Sequence, residues 1–172
     1  MNERATHRAF DGLASTYEAH RPRYPAVIFD RLLDGVPQSN ANVPIRALDV
    51  GCGTGISTRA LAERAVDVIA MDPGEDMLER ARAACAAFPT IQFVLGSAEN
   101  ADLPAEHVDL VLAAQAFHWF EPLRALAEFH RVLRPGGRSA LLWNLRVGDG
   151  GFTDAYIRTA HGTAGPVQAF RR

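Results

Sequence analysis

Apolar residues recur along this chain at two different periods. Near-continuous apolar runs fall at 45–48, 66–71, 91–95, 108–113 and 138–145. Their length and lack of polar alternation predict strands covered on both faces. Between them lie stretches of helical period. Residues 56–64 read as one helix, and residues 74–88 as another with Met77, Ala81, Ala84, Cys85 and Phe88 toward the core. A further helix starts at Pro122 with Leu126, His130 and Leu133 on one face, and Arg134-Pro135-Gly136-Gly137 stops it. Near the N-terminus Ala9, Phe10, Leu13, Ala14 and Tyr17 share a helical face. Pro22 and Pro25 break that helix, and Pro25 is placed to open another over 26–33. Strand and helix in alternation predict a doubly wound, Rossmann-like α/β fold with a mostly parallel sheet, ordered 3-2-1-4-5 with right-handed crossovers.

The turn after the first strand is Asp49-Val50-Gly51-Cys52-Gly53-Thr54-Gly55. Strand, glycine turn and helix form the arrangement in which main chain can approach a ligand closely. The helix that follows turns its free N–H groups and positive dipole end back toward the turn. The dinucleotide fingerprint G-x-G-x-x-G would need glycine at position 56, where this chain has Ile56. An acid two residues ahead of the first glycine suits a ligand bearing an ammonium group better than a pyrophosphate. Asp72 closes the second strand about 20 residues on, where a ribose is gripped through its hydroxyls in nucleotide-binding sheets. It could instead cap the next helix, with Pro73 at the first helical position and Glu75 completing a capping-box pair. Ligands of doubly wound sheets sit beyond the carboxyl ends of the strands, which places Gln115, Phe117, His118 and Trp119 opposite the glycine turn.

Composition removes several mechanisms. All 18 basic residues are arginine. Without lysine there is no Walker A loop, no pyridoxal Schiff base and no lysine nucleophile. The arginines are scattered, so nucleic acid is not an expected partner. The net charge of −2 and the 48% hydrophobic content describe a globular chain. No run reaches membrane-spanning length and Met1-Asn2-Glu3-Arg4 lacks a signal-peptide core, which makes the cytoplasm the expected location. Neither Cys52 nor Cys85 has metal-ligand spacing around it, and no metal is expected. Cys52 in a tight turn reads as a small packing residue.

The D-x-G-x-G-x-G order at 49–55 resembles the first motif of the class I S-adenosylmethionine-dependent methyltransferases. Gly96-Ser97-Ala98-Glu99 with Leu103-Pro104, and Arg131-Val132-Leu133-Arg134-Pro135-Gly136-Gly137, resemble later segments of that family in the same order. Ala114-Gln115-Ala116-Phe117-His118-Trp119-Phe120, with Arg21-Pro22-Arg23-Tyr24-Pro25 upstream, looks like its type 11, trans-aconitate methyltransferase-like branch. The resemblance covers about residues 5–145.

That resemblance implies S-adenosyl-L-methionine as cofactor and a small-molecule acceptor, a carboxylate or a hydroxyl. The implied cofactor residues are Asp49, Gly51, Cys52, Gly53, Gly55, Asp72, Pro73, Met77, Ser97, Ala98, Glu99 and Gln115, with Tyr17 and Arg21 from an N-terminal lid. Phe10, His118 and Trp119 are candidates at the acceptor, with His118 a candidate general base. Glu99 is equally placed to cap a short helix after it. One domain over 1–172 is expected: a helical lid at 1–44, a cofactor-binding core at 45–145 and an irregular tail at 146–172. The family's sheet normally gains an antiparallel strand pair after the fifth strand, for which this tail has no room. A truncated edge is therefore expected, with Leu141, Leu142 and Trp143 open to a partner chain. Two other classes fit less of the chain: an NAD-dependent oxidoreductase, and a methyltransferase fragment that binds cofactor without transferring a methyl group.

Overall fold

A computed structural model of the chain describes residues 24–37 and 43–144. Of the predicted lid at 1–44, residues 1–23 and 38–42, with Phe10, Tyr17 and Arg21, lie outside the described residues, as do residues 145–172, which include the predicted tail at 146–172. By proximity the chain divides into residues 1–142 and 143–172, and every element below belongs to the first unit.

The order is α1 (Ala26–Leu33), β1 (Arg46–Val50), α2 (Ile56–Ala62), β2 (Asp67–Asp72), α3 (Glu75–Ala84), β3 (Gln92–Leu95), β4 (Val108–Ala114), a 3₁₀ turn at Phe117–Trp119, α4 (Pro122–Val132) and β5 (Leu133–Leu142). The five strands form one sheet in the order β3-β2-β1-β4-β5. Every pairing is parallel, as the continuous apolar runs require.

Alternate side chains of each strand enter two separate cores. Ala47, Val68, Ala70, Leu110 and Leu112 pack with Phe29 of α1, Leu61 of α2 and Leu78 of α3. Leu48, Val50, Ile69, Met71 and Val111 pack with Phe129 and Val132 of α4. Helices therefore cover both faces. Chain entering each strand from one end leaves it at the other, and all the βα turns gather along the carboxyl edge of the sheet. The opposite edge is pinned by charge. Arg46 gives its backbone N–H to Asp109 (2.8 Å) and its Nε to Asp67 (2.8 Å), while Arg134 Nη1 reaches the other Asp109 oxygen (2.8 Å).

Two expectations differ from the observed structure. The buried face of α4 is Ala125, Glu128, Phe129 and Val132, whereas Leu126 and His130 face outward. The helix carries two apolar stripes of equal period, and the sheet takes the one containing the larger ring. β5 also begins at Leu133, directly at the end of α4, rather than at Arg138. Leu133 pairs with Val108, and a register shift between Val108 and Leu110 absorbs the Pro-Gly-Gly turn. Gly137 permits that approach, since a Cβ there would stand 2.9 Å from the Arg134 carbonyl oxygen and 3.0 Å from that of Asp109.

Candidate active site

The carboxyl edge of the sheet opens into a cavity of about 810 Å³. Val50 at the end of β1, Asp72 at the end of β2, Gly96 after β3 and Ala114 at the end of β4 all reach its wall. Its volume lies within the ordinary range for small-molecule and cofactor pockets.

The glycine turn forms one wall, and its three glycines answer different constraints. Gly51 has φ +67°, and a Cβ there would lie 2.6 Å from Cβ of Ala116. Gly53 has φ +55°, but a Cβ there would meet nothing within 4 Å. The space over Gly53 is open cavity, as a close-approaching ligand would need. Gly55 precedes α2 and is absent from the wall; a Cβ there would press on Cys85 Sγ (3.1 Å) and Ala81 Cα (3.3 Å) of the α3 segment. The absence of a side chain at Gly55 thus serves the packing of α2 on α3. Cys52 reaches the cavity while remaining 5% exposed, and burial raises its thiol pKa well above the ordinary value. It is not poised as a nucleophile.

Asp72 ties the turn to the second strand. Its Oδ2 accepts from Gly53 N–H (2.9 Å) and its Oδ1 from Gly74 N–H (2.8 Å). The observed helix starts at Glu75 behind Gly74, so Asp72 braces the loop instead of forming the expected capping box. A carboxylate oxygen can accept more than one hydrogen bond, so bracing the loop is compatible with gripping a ligand as well.

Asp49 departs from a direct-contact reading. It is fully buried beneath the turn and absent from the cavity wall. Its Oδ2 accepts from Ser57 Oγ (2.8 Å) and Thr58 Oγ1 (2.6 Å). Its Oδ1 and the buried Thr54 Oγ1 have no hydrogen-bond partner among the described residues. Burial raises the Asp49 pKa from 3.8 to about 6, against the two hydroxyl bonds that lower it. The side chain is turned inward by hydroxyls at positions 57 and 58, which a glycine motif alone does not reveal.

Pro73, Met77, Ser97, Ala98, Glu99, Gln115 and Trp119 all reach the wall, as expected. His118 does not. It is exposed, with its ring centroid 4.9 Å from that of Trp119. Glu99 caps no helix of its own segment, because residues 101–104 form none. Its Oε1 accepts from Glu121 N–H (2.8 Å), tying the loop after β3 to the start of α4. Gln115 carries φ +56°, a left-handed conformation that costs a non-glycine residue about 1–2 kcal/mol.

Several wall residues were not among the expected site residues: Tyr24, Thr54 and Phe120 lie inside the quoted motifs without an assigned role, and Ser57 and Arg124 lie in none. Behind the wall, Glu128 accepts from Ala101 N–H (2.8 Å) and from Arg131 Nε and Nη2 (2.7 and 2.6 Å). The Arg131 bonds hold its carboxyl below the usual range. Glu128→Ala should strand the buried Ala101 N–H and lower stability by about 1–3 kcal/mol in urea titration.

A family profile described as a methyltransferase domain matches residues 48–141. An uncharacterised methyltransferase of Mycobacterium bovis is 45% identical over 138 residues, covering 80% of this chain and 53% of that protein. A malonyl-[acyl-carrier protein] O-methyltransferase of Serratia marcescens is 36% identical, covering 80% and 51%. A solved structure from Anaeromyxobacter dehalogenans, of a protein proposed to be a type II methyltransferase, is 38% identical with a TM-score of 0.64 and covers 83% and 57%. The chain thus spans about half the length of these relatives. With the sheet order, the glycine turn and the cavity it borders, this places the chain in the class I methyltransferase domain family.

Proposed function

We propose that this domain binds S-adenosyl-L-methionine and transfers its methyl group to a small-molecule acceptor, a carboxylate or a hydroxyl. The observation that carries the reading is the open cradle over Gly53, bounded by Asp72 at the neighbouring strand end. The buried negative charge of Asp49 and the unpartnered Thr54 hydroxyl beneath the same turn fit a cationic, polar ligand. Ile56 is on the wall where the dinucleotide fingerprint has glycine, which disfavours NAD.

When bound, S-adenosylmethionine supplies an electrophilic methyl group on a sulfonium. The chain's residues supply position and exclusion of water. Asp72 is assigned to the ribose hydroxyls, Gly51 and Gly53 to close approach of the main chain, and Ser97, Ala98 and Met77 to the adenosine end. Gln115 is assigned to the cofactor as well, and Trp119 to the acceptor. Cys52, Pro73 and Glu99 complete the wall. Tyr17, Arg21 and Phe10 remain proposed lid contacts within the expected 1–44 segment.

Calorimetry with S-adenosylhomocysteine and with NAD tests the assignment: heat with the first and none with the second is expected, and the reverse would overturn it. His118→Ala should keep turnover within about threefold, because a carboxylate acceptor needs no base. A hydroxyl acceptor relying on that imidazole would instead lose about 10²–10⁴-fold.

The half-length match supports a second reading, in which the fragment binds cofactor without completing methyl transfer. Cofactor heat with no product from any acceptor in a panel would favour it. No described helix is long and apolar enough to cross a membrane. The cytoplasm remains the proposed location. β5 is the sheet's last strand among the described residues, and we propose that a partner chain covers this edge. A monomer by size-exclusion chromatography would refute that partner.

A further inference from the structure

We infer that the acceptor is an anion with an aromatic or apolar body, and that Arg124 selects it. This rests on the methyltransferase reading of the same cavity. Among the described residues Arg124 is the one cation on the cavity wall. It stands in the first turn of α4, five residues after Trp119, which lines the same wall while 49% exposed. None of the ion pairs among the described residues involves Arg124.

The neighbouring acids do not claim it. Glu121 accepts from the backbone N–H of Arg124 (3.2 Å), and Glu99 accepts from that of Glu121 (2.8 Å). Both carboxylates are held by main chain at the N-terminus of α4, where the helix dipole favours them. Asp72, Glu75 and Asp76 lie on the β2–α3 side of the cavity. Acids thus line both the β2–α3 side and, as Glu99 and Glu121, the α4 side, and Arg124 shares that wall with Trp119 as its one cation among the described residues. A planar guanidinium offers paired donors to a carboxylate, and the indole offers a flat apolar surface to the body attached to it.

The test uses the full chain saturated with S-adenosylhomocysteine and titrated with 3-phenylpropanoate or its uncharged isostere 3-phenylpropanamide. The carboxylate should bind about tenfold more tightly than the amide. Arg124→Gln should erase that difference, Arg124→Lys should retain part of it, and neither should move the S-adenosylhomocysteine Kd by more than about twofold. Equal binding of the two probes, binding of neither, or discrimination surviving in Arg124→Gln would overturn the proposal. A shifted cofactor Kd in Arg124→Gln would place the arginine on the cofactor and overturn it too. Absence of S-adenosylhomocysteine binding by the unsubstituted chain would instead sink the underlying methyltransferase reading.

Discussion

Gly51→Ala should cost about 2–5 kcal/mol of stability, whereas Gly53→Ala, two residues along the same turn, should cost only about 1–2 kcal/mol. Both glycines have positive φ, and an L-residue held there loses about 1–2 kcal/mol. Only at position 51 does the new methyl collide, 2.6 Å from Cβ of Ala116. Ala116 is itself buried, just ahead of the 3₁₀ turn whose rings pack with Phe129. Relieving the overlap must move packed core, which adds about 1–3 kcal/mol. At position 53 the methyl projects into empty space. Gly53→Ala should therefore fold nearly as well as the parent while losing S-adenosylhomocysteine binding. Urea titration and calorimetry on the two variants read stability and binding separately. A Gly53→Ala protein that keeps full affinity would show that nothing approaches the turn there.

Asp49→Asn should stabilise the ligand-free protein at neutral pH. The carboxyl has a folded pKa of about 6 against an ordinary value of 3.8. Between those values the folded state holds a proton that the unfolded state has released. Stability therefore falls as pH rises from about 4 to about 6, and above that the ionised group costs about 3 kcal/mol. An amide whose oxygen takes the place of Oδ2 keeps Ser57 and Thr58 as donors and removes the ionisation cost. Its NH₂ then occupies the unpartnered Oδ1 position, which trims the gain to about 0–2 kcal/mol at pH 7. The variant's stability should also be flatter between pH 4 and 6 than the parent's. Cofactor binding should move the other way, weakening about tenfold or more as the buried negative charge under a cationic ligand is lost. Parallel stability–pH curves for the two proteins would refute the assignment. A site acid that destabilises its own fold is expected where function, not stability, maintains the residue.

The sheet was legible because strands covered on both faces are apolar at nearly every position, as 108–113 shows with Asp109 its one exception, and a glycine turn after the first of them marks the site. What was not legible depended on choices between equals. The period of α4 reads with Leu126 inward, whereas Ala125, Phe129 and Val132 meet the sheet, a phase that the partner surface decides. Glu99 read equally as a local cap or a cofactor contact, yet its Oε1 accepts from Glu121, 22 residues away. Asp49 read as a ligand contact because the motif shows its distance from the glycines but not the hydroxyls that draw it inward. Arg124 carries no motif at all. Its position on the wall follows from the phase of α4, which periodicity left open.

The charged clamp of Arg46, Asp67, Asp109 and Arg134 lies at the strand beginnings, as far along the strands as possible from the cavity at their ends. The forces that hold the sheet in register and the groups that choose a ligand therefore draw on separate residues. Exchanges on the α4 side of the cavity can redirect such a protein toward a new acceptor without asking the scaffold to refold.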